Sequence, residues 1–164
     1  MMIGKGLAML FVAQLTAAPL LAATAQVTQA APAADAVSPE AGEAAKVVDA
    51  FHAALKQNNA SAALALLSED VLIFEGGYVE RSKAEYASHH LATDAAFASA
   101  APSSLLRRSA YADGDTAWIS SETRTTGRYK DKAVDRLSTE SMVLKKDVAG
   151  WRIVHIHWSS RPAP

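Results

Sequence analysis

From Leu105 to the C-terminus the chain is written as strands. The runs Leu105–Ala112, Thr116–Arg128, Leu137–Lys146 and Trp151–Ser160 carry β-branched and aromatic residues at strand density. Short turn-forming links join them: Asp113-Gly114-Asp115, Lys130-Asp131-Lys132 and Asp147-Val148-Ala149-Gly150. Links this short join antiparallel neighbours, since a parallel return needs a dozen residues or more. The second half of the chain is therefore a meander.

The part before it has a different period. Val47, Val48, Phe51, Ala54 and Leu55 recur at helical spacing between Pro39 and Gln57. Ser38 followed by Pro39 is a helix start, and Asn58-Asn59 a stop. A short second helix is expected from Ser61 to Leu67, then a strand at Val71–Phe74 that Gly76-Gly77 breaks. Ser82 and Glu85 form a capping box that opens a third helix from Lys83 to Ala98. The order α-α-β-α-β-β-β-β predicts an α+β domain, with helices on one face of an antiparallel sheet.

Residues 1–25 follow another logic. Lys5 is their only charge, Leu7 to Leu21 is mostly apolar, and Ala23-Thr24-Ala25 is a small-x-small cleavage site. This predicts a secretory signal peptide and an exported protein, periplasmic or secreted. Gln14, Thr16 and Pro19 interrupt the run, so a membrane span is not expected. Residues 26–38 are Ala, Pro and small polar residues, read as a flexible leader, and the folded domain is expected over 39–161. The chain has no Cys, which excludes disulfides, thiolate metal sites and a Cys nucleophile. With 16 basic and 17 acidic residues it lacks the charge surplus of a nucleic-acid binder.

Strict alternation in the last strand places Trp151, Ile153, His155 and His157 on one face. Arg152, Val154, Ile156 and Trp158 fall on the other. Neither face is simply polar, so both need a cover. The helices cover one. A second copy of the chain is expected on the other, because an exposed tryptophan face would be adhesive.

Two stretches resemble the nuclear-transport-factor-2-like superfamily over roughly Glu43 to Ser160. VVDAFHAALKQNNASAALALLSEDVLIFEGG, residues 47–77, resembles the opening of its ketosteroid-isomerase and SnoaL-like branch. GWRIVHIHWSSRPAP, residues 150–164, is similar to the last strand of the calmodulin-dependent kinase II association domain. The resemblance implies a cone-shaped α+β barrel: a curved sheet wrapped around helices, with a pocket at one end. It also implies that Glu75, at the end of its strand, is a proton-moving base. Tyr86, His90 and Asp94, four apart in turn, form one polar stripe on the third helix, so His90 or a His of the last strand is its expected partner. Tyr78, Tyr86, Asp94, Glu140, His155 and His157 are the expected ligand-binding residues. Phe51 stands where ketosteroid isomerases carry an oxyanion-stabilising Tyr, and Phe cannot donate a hydrogen bond. Arginines of the association-domain pocket match Thr123 and Met142, with Arg124 one residue out of register.

The expected function is binding of a small, largely apolar organic molecule, with simple proton transfer. The alternative is a non-catalytic oligomerisation module. No residue pattern calls for a cofactor or a metal.

Overall fold

The computed structural model describes residues 36–164. The expected signal peptide and residues 26–35 of the expected leader lie outside the described residues. Ala36–Val37 form a two-residue strand, β1. Ser38 accepts a bond from the Ala41 amide, but it caps a 3-10 turn, Pro39–Ala41. The α-helix proper, α1, is Gly42–Lys56. Asn58 turns the chain in the left-handed region, and the Asn59 side chain caps α2, Ala60–Ala65.

Strand β2 runs Leu67–Glu75. Gly76 and Gly77, both at positive φ, then reverse the chain into a short β3, Tyr78–Glu80, not foreseen from the sequence. The capping box forms: Ser82 Oγ accepts from the Glu85 amide, and Glu85 returns to the Arg81 amide at 2.6 Å. The expected third helix is two helices, α3 (Lys83–His89) and α4 (Leu91–Ala100), jointed at His90. The meander follows as β4 (Ser103–Asp113), β5 (Thr116–Tyr129), β6 (Lys132–Asp147) and β7 (Gly150–Pro162).

Among the described residues the sheet has the order β1-β4-β5-β6-β7-β2-β3. β2 lies parallel to β7, so the first long strand pairs with the last. The α+β cone is present, but its curved sheet stays open, with β1 and β3 at the edges, and does not close into a barrel.

Register turns the inner face into rows that run across the strands. Leu67–Ile153–Leu144–Ala117–Ala112 and Ile73–Ile156–Met142–Ile119–Ala110 are two apolar rows. They pack against Val48, Phe51 and Leu55 of α1 and Leu91 and Ala95 of α4, which are buried. Burying such side chains stabilises by roughly 1.5–3 kcal/mol each, and this is the core of the domain.

One expectation about β7 fails for a definite reason. A bulge at Val154 shifts the β6–β7 register between Val143 and Leu144. One extra residue reverses the alternation. Trp151 and Ile153 therefore share the inner face with Ile156 and Trp158, and His155 and His157 turn outward. The outer face carries the row Leu72–His155–Val143–Trp118–Tyr111 and, beside it, Phe74–His157–Ser141–Ser120–Ser109.

Candidate functional site

Beyond the apolar rows the inner face changes chemistry. The next row is Glu75–Trp158–Glu140–Ser121–Arg108. After it come Ser160–Ser138–Thr123–Leu105 and then Arg136, Thr125 and Ser103. These rows floor a cavity of about 890 Å³. Asp49, His52 and Ala53 of α1 and Thr93, Asp94 and Phe97 of α4 supply walls, and Gly76-Gly77 part of its border. The sheet thus meets the helices tightly where its rows are apolar and leaves space where they turn polar.

Two polar clusters face this space. The first gathers on β2, α3 and α4. Glu75 is exposed to the cavity, and its pKa is raised by partial burial, against the lowering influence of His90 and Arg136. Asp94 lines the same cavity. Burial first, then the charge of Glu75, pushes its carboxyl up to about 6, although Tyr86 donates to its Oδ2 at 3.0 Å. Tyr86 is fully buried, and burial together with Asp94 pushes its phenol far above the ordinary tyrosine range. Glu80, also buried, accepts from His90 Nδ1 and, at 3.1 Å, from His89 Nδ1. Burial opposes its charge, but these bonds and the imidazoles hold its carboxyl below the usual range. A second space of about 10 Å³, the size of one water, lies between Glu75, Tyr78, Tyr86 and His90.

The second cluster sits across the floor. Arg108 is buried, with Nη1 on Asp49 at 2.7 Å and Nε on Ser121 Oγ at 3.2 Å. Glu140 is 6% exposed. Its Oε2 accepts from His52 Nε2 at 2.8 Å and from Trp158 Nε1 at 2.7 Å. The Trp158 ring lies at 19° to Phe51, centroids 6.3 Å apart. Burial disfavours the Glu140 charge, but His52, the Trp158 bond and the charge of Arg108 together keep the carboxyl below its ordinary range. Conversely Glu140 overcomes the effect of burial on His52 and raises the imidazole.

Of the expected residues, Glu75, Asp94 and Glu140 reach the cavity floor and wall together. Tyr86 acts on it through Asp94. His90 and Tyr78 border the small space; Tyr78 is 69% exposed and tilts against His90 at 5.7 Å. His155 is not among the lining residues: its Nδ1 meets the Leu72 carbonyl oxygen at 2.8 Å, and its ring packs on Phe74. His157 borders the cavity, but its ring also packs against Phe74, at 6.2 Å. Arg136 bonds Ser160, and Lys145 bonds Asp115. Arg124 faces out and forms a forked pair with Asp135.

Sequence reasoning missed Asp49, Arg108, Arg136 and the inward turn of Trp158. One readable signal was available for Glu140. It alternates with Met142 and Leu144, and so shares their buried face.

The SnoaL-like domain family matches residues 44–164. A crystal structure from Shewanella frigidimarina NCIMB 400, named as a candidate ketosteroid isomerase, is 39% identical. The match covers 71% of this chain and 94% of that one, with a TM-score of 0.69. A candidate calcium/calmodulin-dependent protein kinase II association domain from Xanthomonas campestris is 21% identical over 80% of this chain and 97% of that one, TM-score 0.65. A candidate dehydratase of the NTF2-like family from Streptomyces avermitilis is 16% identical over 76% and 96%, TM-score 0.65. These last two share the fold. No curated protein matches the chain.

Proposed function

The chain belongs to the SnoaL-like domain family, with an NTF2-like fold, and from that premise we propose that its cavity binds a small organic molecule and moves a proton on it. Glu75 is the base. It takes a proton from an acidic C–H of the ligand and returns it either at another carbon, an isomerase-type step, or to a hydroxyl that departs as water as its C–O bond breaks, a dehydratase-type step, with no net redox change. The observation that carries this reading is the pair Glu75 and Asp94, two carboxylates on one cavity, both with raised proton affinity. Burial raises both, and the charge of Glu75 raises Asp94 further, to about 6. The names borne by the Shewanella and Streptomyces proteins fit the same chemistry. Phe51 supplies no oxyanion donor, so the developing charge must meet donors from elsewhere on the cavity wall.

The protein is exported, with residues 1–25 removed, and acts in the periplasm or outside the cell. It works as a homodimer through the outer sheet face, where Trp118 and Tyr111 are 46% and 62% exposed in adjacent strands. The likeness to an association domain supports assembly through this fold.

Native mass spectrometry tests both parts on mature protein from an export-competent host, beside a denatured control. A small added mass that denaturation removes, on a species of twice the chain mass, is expected. A bare species that takes up no organic probe in subsequent titration overturns the ligand reading. A monomer overturns the dimer.

A further inference from the structure

His52 reaches the cavity from α1 with one of its two ring nitrogens already engaged. Nε2 meets Oε2 of the buried Glu140 at 2.8 Å, and Trp158 Nε1 holds that same oxygen at 2.7 Å. Nδ1 makes no hydrogen bond among the described residues. The imidazole lines the large cavity, and its side chain is 43% exposed. Aromatic contacts fix its plane. Phe51 meets the ring at 70°, centroids 5.8 Å apart, and Phe51 stacks in turn on Trp158.

We infer that His52 is the cavity's hydrogen-bond donor, presenting Nδ1–H to a carbonyl or anionic oxygen of the ligand, with Glu140 as its positioning residue. The inference rests on the cavity being a ligand site, not on Glu75 being a base, and names the group that the site recognises.

Only the doubly protonated ring can play this part. A neutral imidazole has one N–H, and here it is given to Glu140; the second proton makes Nδ1 a donor as well. The charges around the ring favour that proton. Glu140 on β6 and Asp49 on α1 support it, while burial and Arg108 on β4 oppose it. Arg108 is itself engaged by Asp49 at 2.7 Å. The balance lies above the ordinary imidazole value. An anionic oxygen beside Nδ1 shifts it further in the same direction.

The cavity is thereby polarised. Glu75 pairs with Trp158, and Trp158 with Glu140, so Glu75 and the residue that holds His52 stand two strands apart on one floor. At about 4.8 Å per strand their backbones are about 10 Å apart. Glu75 and Asp94 make one end acidic, and an electron-rich oxygen is repelled there. His52, with Arg108 beside it, makes the other end the place such an oxygen can lie. Phe51 offers no donor of its own and instead packs the ring that does.

The test uses para-nitrophenol, whose phenol and phenolate absorb at different wavelengths, titrated into the mature protein across pH. The wild type is expected to lower the pKa of the bound phenol by about one unit or more, which is about a tenfold preference for the phenolate. His52→Gln keeps an amide donor for Glu140 and turns its oxygen to the cavity. The lowering is expected to vanish, with thermal melting confirming the fold. Glu75→Gln removes a negative charge from the other end, so the lowering is expected to hold or grow. The positioning role has its own readout, nitrogen NMR of the histidine side chains. The His52 midpoint is expected to fall by about one unit in Glu140→Gln. Phenol bound by wild type with an unchanged pKa overturns the inference and leaves the cavity reading standing. No binding overturns it and removes support from the cavity reading as well. A lowering retained in His52→Gln overturns it by placing the anion on Arg108, Arg136 or a protonated Asp94. Loss of the lowering in Glu75→Gln overturns it by placing the anion on a proton held by Glu75. An unmoved His52 midpoint in Glu140→Gln overturns the positioning role. The wild-type spectra decide even if His52→Gln fails to fold.

Discussion

Tyr86 and Asp94 stand on two different helices, and the buried phenol of the first donates to Oδ2 of the second at 3.0 Å across the joint at His90. The bond fixes the Asp94 carboxyl beside Glu75 without relieving it of its surroundings. A carboxyl whose folded pKa is about 6, against an ordinary value of 3.8, binds more protons folded than unfolded between those limits. Stability contributed by its proton is complete below about 4 and is lost as pH rises through 6. Asp94→Asn removes this dependence, keeps an acceptor for Tyr86, and is expected to stabilise at pH 7.5 by about 1 kcal/mol. Urea melts at pH 4.5 and 7.5 check it. An Asp94→Asn protein that loses stability at pH 7.5 would show that the carboxylate charge is favourable there.

Glu75 separates function from stability more cleanly. It is exposed to the cavity, and its charge raises Asp94 and is itself disfavoured by partial burial. Glu75→Gln removes a like charge and leaves the shape. The melting temperature is expected to hold or rise slightly, while any turnover falls by at least about a hundredfold with its base removed. A fall of several degrees in the melting temperature would instead give Glu75 a structural role. Turnover should increase with pH through the raised pKa of Glu75, since a base acts only when deprotonated.

Two tryptophans on opposite faces of the sheet, Trp158 and Trp118, behave oppositely on substitution by Lys. Trp158 is packed against the core and bonded to Glu140, so Trp158→Lys should cost about 3 kcal/mol or more and unfold much of the protein. Trp118 is 46% exposed on the outer row between Tyr111 and Val143. Trp118→Lys should leave the isolated fold intact and convert the dimer to monomer by sedimentation. A dimer unaffected by Trp118→Lys would clear the outer face of that role.

That pair also shows what the sequence can and cannot disclose. Alternation in β5 and β6 is unbroken, so the inward faces of Ile119 and Met142 were legible. In β7 the bulge at Val154 reversed the faces of everything after it, and no residue type announces it: Val is an ordinary strand residue. Hence strict alternation parted Trp158 from Trp151, whereas the structure puts both on the inner face, and it kept His155 beside Ile153, whereas His155 packs on Phe74. The helix-strand order and the capping box depend on neighbours in sequence and were readable. The rows that bring Glu75, Glu140 and Arg108 onto one floor depend on register between strands far apart in sequence, as Glu75 with Trp158. Glu75 was found through resemblance to other chains. Arg108 was missed because its partner Asp49 lies on α1, 59 residues earlier.

Gly127 marks where the sheet bends over the end of α4. A Cβ there would lie 2.8 Å from the Ala100 carbonyl oxygen and 2.9 Å from Ala101 Cα, both backbone atoms that cannot rotate aside. The same crossing is pinned by the Thr126 amide on the Pro102 carbonyl oxygen and by Phe97 edge-on to Tyr129 at 5.4 Å. Phe97 and Tyr129 both line the cavity, so this contact sets one of its walls. Gly127→Ala must push β5 and the α4 terminus apart. A cost of about 1–3 kcal/mol in urea melts is expected. Gly114→Ala is the control, because a Cβ there meets nothing within 4 Å and the residue sits in the β4–β5 turn, far along the strands from the cavity rows. It pays only for its positive φ. If Gly127→Ala melts like wild type, the sheet yields at this point and the cavity wall is not set by the crossing.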